Sequence, residues 1–273
     1  MMMMNFSGNF TALFTGTIRG VAHPRPSPFP IFFGANTPIT RFPYFVSVEI
    51  PWIDRVEGGG SIISRHFVVT AAHVFDYFPD KEFYQIRAGS DKKFEGGSVH
   101  SLDYYQIHPD YIEDGGVGGV DYDIALVRVQ EPFRFDKTRR TIQMFDKFSP
   151  PLTDGTPAKV VGFGYTEKGP TNYLKATDIW VVDKKKCHGR WSSNGTLPVP
   201  KAAFCAGGGD SLETGRRDTC IGDSGGPLVI NGTLAGVTSF GPMACGTPKV
   251  PAFYTEVSMF REWIDDHLKS EKE

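Results

Sequence analysis

From Ile31 onward the chain alternates between short apolar runs, rich in β-branched and aromatic residues, and clusters of Gly, Pro, Asp and Ser. Runs of this length bounded by turn formers predict strands. They fall at Tyr44–Ile50, Ser61–Ile63, His66–Thr70, Phe83–Ala88, Ile124–Val129, Lys159–Phe163, Thr177–Val182, Pro227–Ile230, Leu234–Ser239 and Ala252–Val257. Their spacing predicts an all-β sandwich or barrel. One stretch has a different period. In Ser258–Lys269, Phe260, Trp263, Ile264 and Leu268 recur at helical spacing behind Ser258, a candidate N-cap, so a helix is expected to close the chain. Thr138–Thr156, with Pro150, Pro151 and Gly155, is the expected boundary between two β units. Ahead of the strands, His23-Pro24-Arg25-Pro26-Ser27-Pro28-Phe29-Pro30 reads as an extended linker.

Composition agrees with this pattern. A chain of 273 residues, 40% hydrophobic, can bury one substantial core or two adjoining ones. Its 31 glycines and 20 prolines are dispersed, as many short strands with tight turns require. The formal net charge is −2 and the longest basic run is Lys184-Lys185-Lys186, which argues against a nucleic-acid partner. Cys187, Cys205, Cys220 and Cys245 all lie in the C-terminal third. Their even number suits two disulfides and an oxidising compartment, and the lack of C-x2-C spacing argues against zinc. Sequons at Asn5, Asn9, Asn194 and Asn231 also suit an extracellular, secreted chain. A signal peptide is poorly defined: Phe10–Ile18 is apolar in patches, is broken by Thr15-Gly16-Thr17 and follows no basic residue. It is also too short and polar to span a membrane.

The candidate chemistry centres on Gly222-Asp223-Ser224-Gly225-Gly226-Pro227. Such residues form ordinary turns, but a serine nucleophile also needs a tight, exposed turn with glycines that let a substrate approach. The N–H groups of Gly222 and Ser224 would then converge on a developing oxyanion. A serine hydroxyl is a weak nucleophile until a base takes its proton. Among seven histidines, His73 follows the apolar-to-small run Val68-Val69-Thr70-Ala71-Ala72, whereas His108 and His188 sit in polar loops. The base in turn needs a buried acceptor. Asp123 opens the apolar run Ile124-Ala125-Leu126-Val127; Asp121 lies on the same strand face, and the local pattern does not separate the two.

In chain order, Thr70-Ala71-Ala72-His73, Asp123-Ile124-Ala125-Leu126 and Gly222-Asp223-Ser224-Gly225-Gly226-Pro227 resemble the three signatures of the chymotrypsin-like (trypsin-like) serine proteases, the family from which the general triad mechanism is drawn. Gly162-Phe163-Gly164, Phe204-Cys205-Ala206-Gly207, Ser239-Phe240-Gly241 and Tyr254-Thr255-Glu256-Val257 extend the likeness from Ile31 to about Leu268. The resemblance implies two six-stranded antiparallel β-barrels and a C-terminal α-helix. Residues 1–30 would form a presequence, 31–143 the first barrel, 144–257 the second and 258–269 the helix. It implies a secreted endopeptidase, synthesised as a zymogen, with His73, Asp123 and Ser224 as catalytic triad and Gly222 and Ser224 as oxyanion hole. It also implies disulfides Cys187–Cys205 and Cys220–Cys245, each closing a loop of roughly 20 residues and contributing about 3 kcal/mol. The family's bridge beside the catalytic histidine is missing, since Gly58 and Val74 occupy its positions.

Asp218 aligns with the acid at the base of trypsin-like pockets, where a carboxylate would pair with a substrate Arg or Lys. The bland alternative is a turn acid balancing Arg216 and Arg217. Ser239, Phe240, Gly241 and Ala252 would complete the substrate site, with Ser239 also supporting Asp123. Ala252 replaces a usual glycine and narrows the slot, and Phe240 replaces a usual tryptophan. Cleavage after Arg or Lys is therefore expected; the alternatives are a chymotrypsin- or elastase-like pocket, or a catalytically silent homologue that binds partners. The activation site aligns with Ile31-Phe32-Phe33-Gly34, whose new ammonium would pair with Asp223, although Pro30 and Phe33 depart from the family pattern. The expected partners are protein or peptide substrates and protein inhibitors, acting on a monomer. No metal or cofactor is expected: Ser90–Ser101 is short and lacks the paired glutamates of a calcium loop.

Overall fold

The computed structural model describes residues 31, 33–114, 119–191, 200–209 and 216–269. The expected presequence and the sequons at Asn5, Asn9 and Asn194 lie outside these residues. The strands are β1 (Ala35–Asn36), β2 (Phe45–Ile50), β3 (Arg55–Ile62), β4 (Phe67–Thr70), β5 (Gln85–Ala88), β6 (Ser98–Ile107), β7 (Ile112–Asp114), β8 (Gly119–Asp121), β9 (Ala125–Val129), β10 (Gln143–Met144), β11 (Pro157–Gly162), β12 (Lys175–Val182), β13 (Ala203–Gly207), β14 (Pro227–Ile230), β15 (Thr233–Thr238) and β16 (Ala252–Glu256). The helices are α1 (Lys184–Trp191) and α2 (Arg261–Lys269).

Two antiparallel barrels follow. The first closes in the order β2-β3-β4-β9-β6-β5, with β5 returning to β2 through the pair Val46↔Ala88. The second runs β12-β11-β14-β15-β16-β13 and closes where β13 meets β12, at Trp180↔Gly207. Closure removes exposed sheet edges. The chain crosses between the halves at both ends. Ala35 and Asn36 pair with β12, while Gln143 and Met144 run parallel to β15, so the connector joins the second sheet before its barrel begins.

Apolar side chains on the inward face of each strand build the cores. Val46, Val48, Ile62, Phe67, Val69 and Leu126 fill the first; Val160, Ile179, Leu228 and Tyr254 fill the second. Phe42, Phe45, Val161, Phe163 and Leu174 form a third cluster between them, in which the Phe45 and Phe163 rings meet edge-on at 5.7 Å. Every residue of β2 is buried.

Helix α2 begins at Arg261, behind a 3-10 turn over Val257–Phe260. Ser258 is therefore not the cap: its hydroxyl donates to Glu256 Oε1 at 2.7 Å. Phe260 and Ile264 join the first barrel's core, so the helix that follows the second barrel clamps back onto the first. Helix α1 and strands β6 and β13 are among the elements that went unforeseen. Helix α1 has a basic sequence without an apolar stripe; Asp183 accepts the Lys185 and Lys186 N–H groups at its start, and Cys187 anchors it. Strand β6 begins inside the stretch expected to be a loop, because barrel pairing on both sides overrides its mixed polarity. Strand β13 is a short buried run with small residues. Among the described residues no helix is long and apolar enough to cross a membrane.

Candidate active site

The end of β4 delivers His73. Thr70 closes the strand, Ala71 and Ala72 are fully buried, and His73 lies in the 3-10 turn Ala72–Phe75. Small residues are required here because the Ser224 loop presses against this segment. A side chain begun at Gly225 would lie 2.1 Å from Thr70 Oγ1 and 2.9 Å from Ala71 N, and Gly225 itself has φ +75°. Only glycine fits.

Asp123 arrives by a local break in the strand. Tyr122 adopts φ +53°, β8 ends at Asp121 and β9 starts at Ala125, so alternation does not carry across. This separates the two aspartates. Asp121 accepts the main-chain N–H groups of Lys201 and Ala202 at 2.9 and 3.0 Å. Asp123, 1% exposed, accepts the His73 main-chain N–H on Oδ1 at 3.0 Å, and lies 2.7 Å from His73 Nδ1 through Oδ2. Ser239, from the second barrel, donates its hydroxyl to the same Oδ2 at 2.5 Å, and Thr255 donates to the Asp123 carbonyl at 2.8 Å.

An ionised carboxylate can only accept, so a proton resides on His73 Nδ1 and leaves Nε2 free as a base. Burial alone would lower the His73 pKa, but the Asp123 charge and hydrogen bond outweigh it and raise it above 6.5. Burial alone would raise Asp123, but the His73 charge and the hydrogen bonds from His73 and Ser239 hold it below 3.8.

The Ser224 loop lies beside the segment that delivers His73, through Gly225 against Thr70 and Ala71. Gly59 N–H donates to the Ser224 carbonyl at 2.7 Å. A Cβ built on Gly58 would lie 2.3 Å from that carbonyl oxygen and 3.1 Å from Val74 Cγ2, so Gly58 leaves room for the loop beside the residue that follows His73. No hydrogen bond joins Ser224 Oγ to the His73 ring in this structure; such contacts often tighten only when substrate binds. The turn around Ser224 is closed by main-chain bonds, with Asp223 N–H donating to the Cys220 carbonyl, Gly226 N–H to the Asp223 carbonyl, and Gly222 at φ +94°. The Gly222 and Ser224 amides are absent from the main-chain bonds that fix their neighbours.

Beneath the loop lies Asp223, 1% exposed. Its carboxylate accepts Gly164 N–H at 2.7 Å and Cys220 N–H at 2.9 Å. Burial pushes its pKa up to about 6. Side chains at Gly162 and Gly164 would begin 2.1 and 2.3 Å from this carboxylate, which explains the Gly-Phe-Gly sequence of this strand end. Ile31 is fully buried at φ +48° and joined to Pro30, and the expected pair with Asp223 is not formed in the continuous chain. Phe32, within the same motif, lies outside the described residues.

Asp218 is 2% exposed and accepts N–H groups from Thr219 and Gly246 at 2.9 and 3.1 Å. Burial pushes its pKa up to about 7. It is no surface turn acid balanced by arginines. Cys220–Cys245 ties the Asp218 segment to the Gly246 segment, and Cys187–Cys205 ties α1 to β13. Ala252 Cβ lies 3.3 Å from where a side chain on Gly241 would begin, so the two face each other across a narrow gap. Phe240 stacks on Phe253 at 4.5 Å and meets Trp191 edge-on at 6.0 Å. Residue patterns did not single out Tyr122, whose role depends on its left-handed backbone conformation. Among the described residues no group of three or more His, Cys, Asp or Glu is disposed to hold a metal ion.

Known proteins resemble this chain over most of its length. The Trypsin family model matches residues 31–264. A vitellin-degrading protease of Bombyx mori is 33% identical over 259 residues, covering 92% of each chain. Trypsin epsilon of Drosophila erecta is 34% identical over 85% of each, and a trypsin of Phaedon cochleariae is 33% identical over 77% of this chain and 78% of its own. Among solved structures, neuropsin, a serine protease expressed in the limbic system of mouse brain, superposes with a TM-score of 0.73 at 25% identity. That match covers 86% of this chain and 98% of neuropsin.

Proposed function

The chain belongs to the trypsin family and is a serine endopeptidase, and from that premise we propose that His73, Asp123 and Ser224 form its triad and that it cleaves after Arg or Lys. His73 Nε2 takes the Ser224 hydroxyl proton as Oγ attacks the substrate carbonyl carbon. The resulting oxyanion receives N–H bonds from Gly222 and Ser224. His73 then passes the proton to the leaving amine, an acyl-enzyme remains on Oγ, and water deprotonated by His73 releases the acid product. Asp123 stays ionised throughout and stabilises the imidazolium. The observation that carries this reading is the Asp123 carboxylate engaged by both His73 and Ser239, adjoining the Ser224 loop.

Specificity rests on Asp218. A buried carboxylate held only by N–H groups gains a charge-assisted partner when an Arg or Lys side chain enters. Ser239, Phe240, Gly241 and Ala252 flank the acyl-side chain. Cleavage before Ile31 would release an ammonium to pair with Asp223 and set the oxyanion loop. The two disulfides and the exposed sequon Asn231 support an extracellular site of action. Chromogenic peptides ending in Arg, Lys, Phe or Ala, tested on protein cleaved before Ile31 with Ser224→Ala as control, decide the matter. Turnover confined to Arg and Lys, and abolished in the control, is expected; equal or faster turnover after Phe or Ala overturns the specificity. The closeness of Ala252 to Gly241 favours that second, narrower-pocket reading.

A further inference from the structure

The turn between β14 and β15 carries a feature that acyl transfer does not use. Ile230 pairs with Thr233, so Asn231 and Gly232 form a two-residue hairpin loop, and both adopt positive φ, +50° and +80°. Asparagine followed by glycine is a favoured pair for such a loop. That preference explains residues 231 and 232 but asks for no hydroxyl at residue 233, where Thr233 completes the sequon Asn231-Gly232-Thr233. Asn231 and Gly232 are exposed, and a side chain begun at Gly232 would meet no atom within 4 Å. The Asn231 amide makes no side-chain hydrogen bond among the described residues. Beside the turn lies a groove of about 270 Å³. Pro157, Ala158 and Val229 give it an apolar lining, Lys159 and Asp178 add an ion pair, and Asn231 itself stands in its wall. A single pyranose ring suits such a lining, since C–H groups cover its faces and hydroxyls its edge, and small-molecule sites combine apolar walls with a few polar groups.

We propose that Asn231 is an N-glycosylation site and that the first N-acetylglucosamine of its glycan lies in this groove. The donor is a polyprenyl diphosphate-linked oligosaccharide. Asn231 Nδ2 bonds to the anomeric carbon of the sugar and the bond from that carbon to the diphosphate oxygen breaks. The lipid diphosphate leaves, and the Nδ2 proton passes to a base of the transferring enzyme. The proposal rests on the extracellular reading above, because this donor is met in the secretory pathway; the two disulfides point to the same compartment. Strand β14 runs from the Ser224 loop to the turn, so the sugar and the nucleophile sit at opposite ends of one strand. The glycan therefore leaves the cleft free and braces the scaffold, covering apolar surface where β11, β12 and the β14–β15 turn meet.

The 273-residue chain is expressed in cultured human cells, once as it stands and once behind an added cleavable signal. Peptide mapping after peptide-N-glycosidase treatment in heavy-oxygen water reads each sequon separately, because a released glycan leaves an oxygen-labelled Asp in place of Asn. Both forms are expected to be secreted with Asn231 occupied, and Thr233→Ala to abolish occupancy at that sequon alone. Melting temperature then tests the groove. Wild type and Thr233→Ala are compared from human cells and, free of glycan, from a bacterial periplasm, so that any effect of the substitution itself cancels. The difference between them should be about 2 °C larger in the human-cell protein. Trimming to the first N-acetylglucosamine with endoglycosidase H, on protein kept in its high-mannose form, should preserve that excess. Secreted protein with Asn231 unmodified overturns the site, and equal differences from the two hosts, or loss of the excess on trimming, overturn the placement of the first sugar. Secretion and modification of the signal-bearing form alone instead overturn the extracellular reading.

Discussion

In the first barrel, buried carboxylates find side-chain partners on their own chain. Asp123 is held by His73 and Ser239; Glu49, fully buried, accepts from Ser47 Oγ at 3.0 Å, Gln85 Nε2 at 2.8 Å and Arg87 Nε at 2.9 Å. In the second barrel, Asp218 and Asp223 are buried as deeply but accept hydrogen bonds from main-chain N–H groups alone. The consequence is electrostatic. Asp123 is driven below the ordinary carboxylate value, whereas Asp218 and Asp223 are driven above it. A buried charge is tolerated when it is paired. The buried acids of the first barrel meet side chains, whereas Asp218 and Asp223 meet main-chain N–H groups.

The largest test breaks the completed side. Asp123→Asn leaves His73 without its charged acceptor and favours the wrong tautomer, so kcat should fall by about 10^4 with little change in KM. The acid limb of the kcat/KM profile sharpens this. His73 is raised above 6.5, the imidazolium cannot act as base, and activity should be lost as pH falls through that raised value. A wild-type limb below 6.5 would contradict the pairing.

The next test fills the open side. Asp218→Asn should lower kcat/KM for Arg and Lys peptides by about 10^2 to 10^3 and leave Phe peptides nearly unchanged. Equal loss on both would make Asp218 a structural residue. Replacing Cys220 and Cys245 by serine removes the bridge beneath both open acids and should lower unfolding stability by about 3 kcal/mol in denaturant titration. A similar loss of Arg and Phe turnover should accompany it, because the bridge fixes the segment whose residue-220 N–H donates to Asp223.

The pH dependence of stability is expected to be a smaller effect. Asp223 has a folded pKa of about 6 against 3.8 unfolded, so between these values the native state binds more protons. Raising pH through that window therefore removes stability, on the order of 3 kcal/mol for this group alone. Asp218, at about 7, adds in the same direction. The melting temperature of the uncut chain should fall from pH 4 to pH 7, and Asp223→Asn should flatten the slope. A rising melting temperature across this range would mean that these acids are already paired.

Much of this was legible in the chain itself. Period-two apolar runs between turn formers indicated strands because each strand buries one face, and the three ordered motifs marked His73, Asp123 and Ser224. Other features were hidden for identifiable reasons. Asp121 and Asp123 share local surroundings, and only the left-handed turn at Tyr122 divides them. Helix α1 lacks an apolar stripe, since a disulfide and a capping aspartate support it. Gly162 and Gly164 read as a familiar pair, but their reason is the carboxylate of a residue 59 positions away from Gly164.

Local sequence by itself determined the strand periodicity, the glycine-flanked serine and the residue types able to perform acyl transfer, because these depend on neighbours within a few positions. That Asp123 gains side-chain partners from both barrels, while Asp218 and Asp223 are held by main-chain N–H groups, was decided only by the packing of two barrels against each other. Charge interactions act through space, and contacts across more than a hundred residues, such as Ser239 with Asp123, leave no periodic trace along the chain.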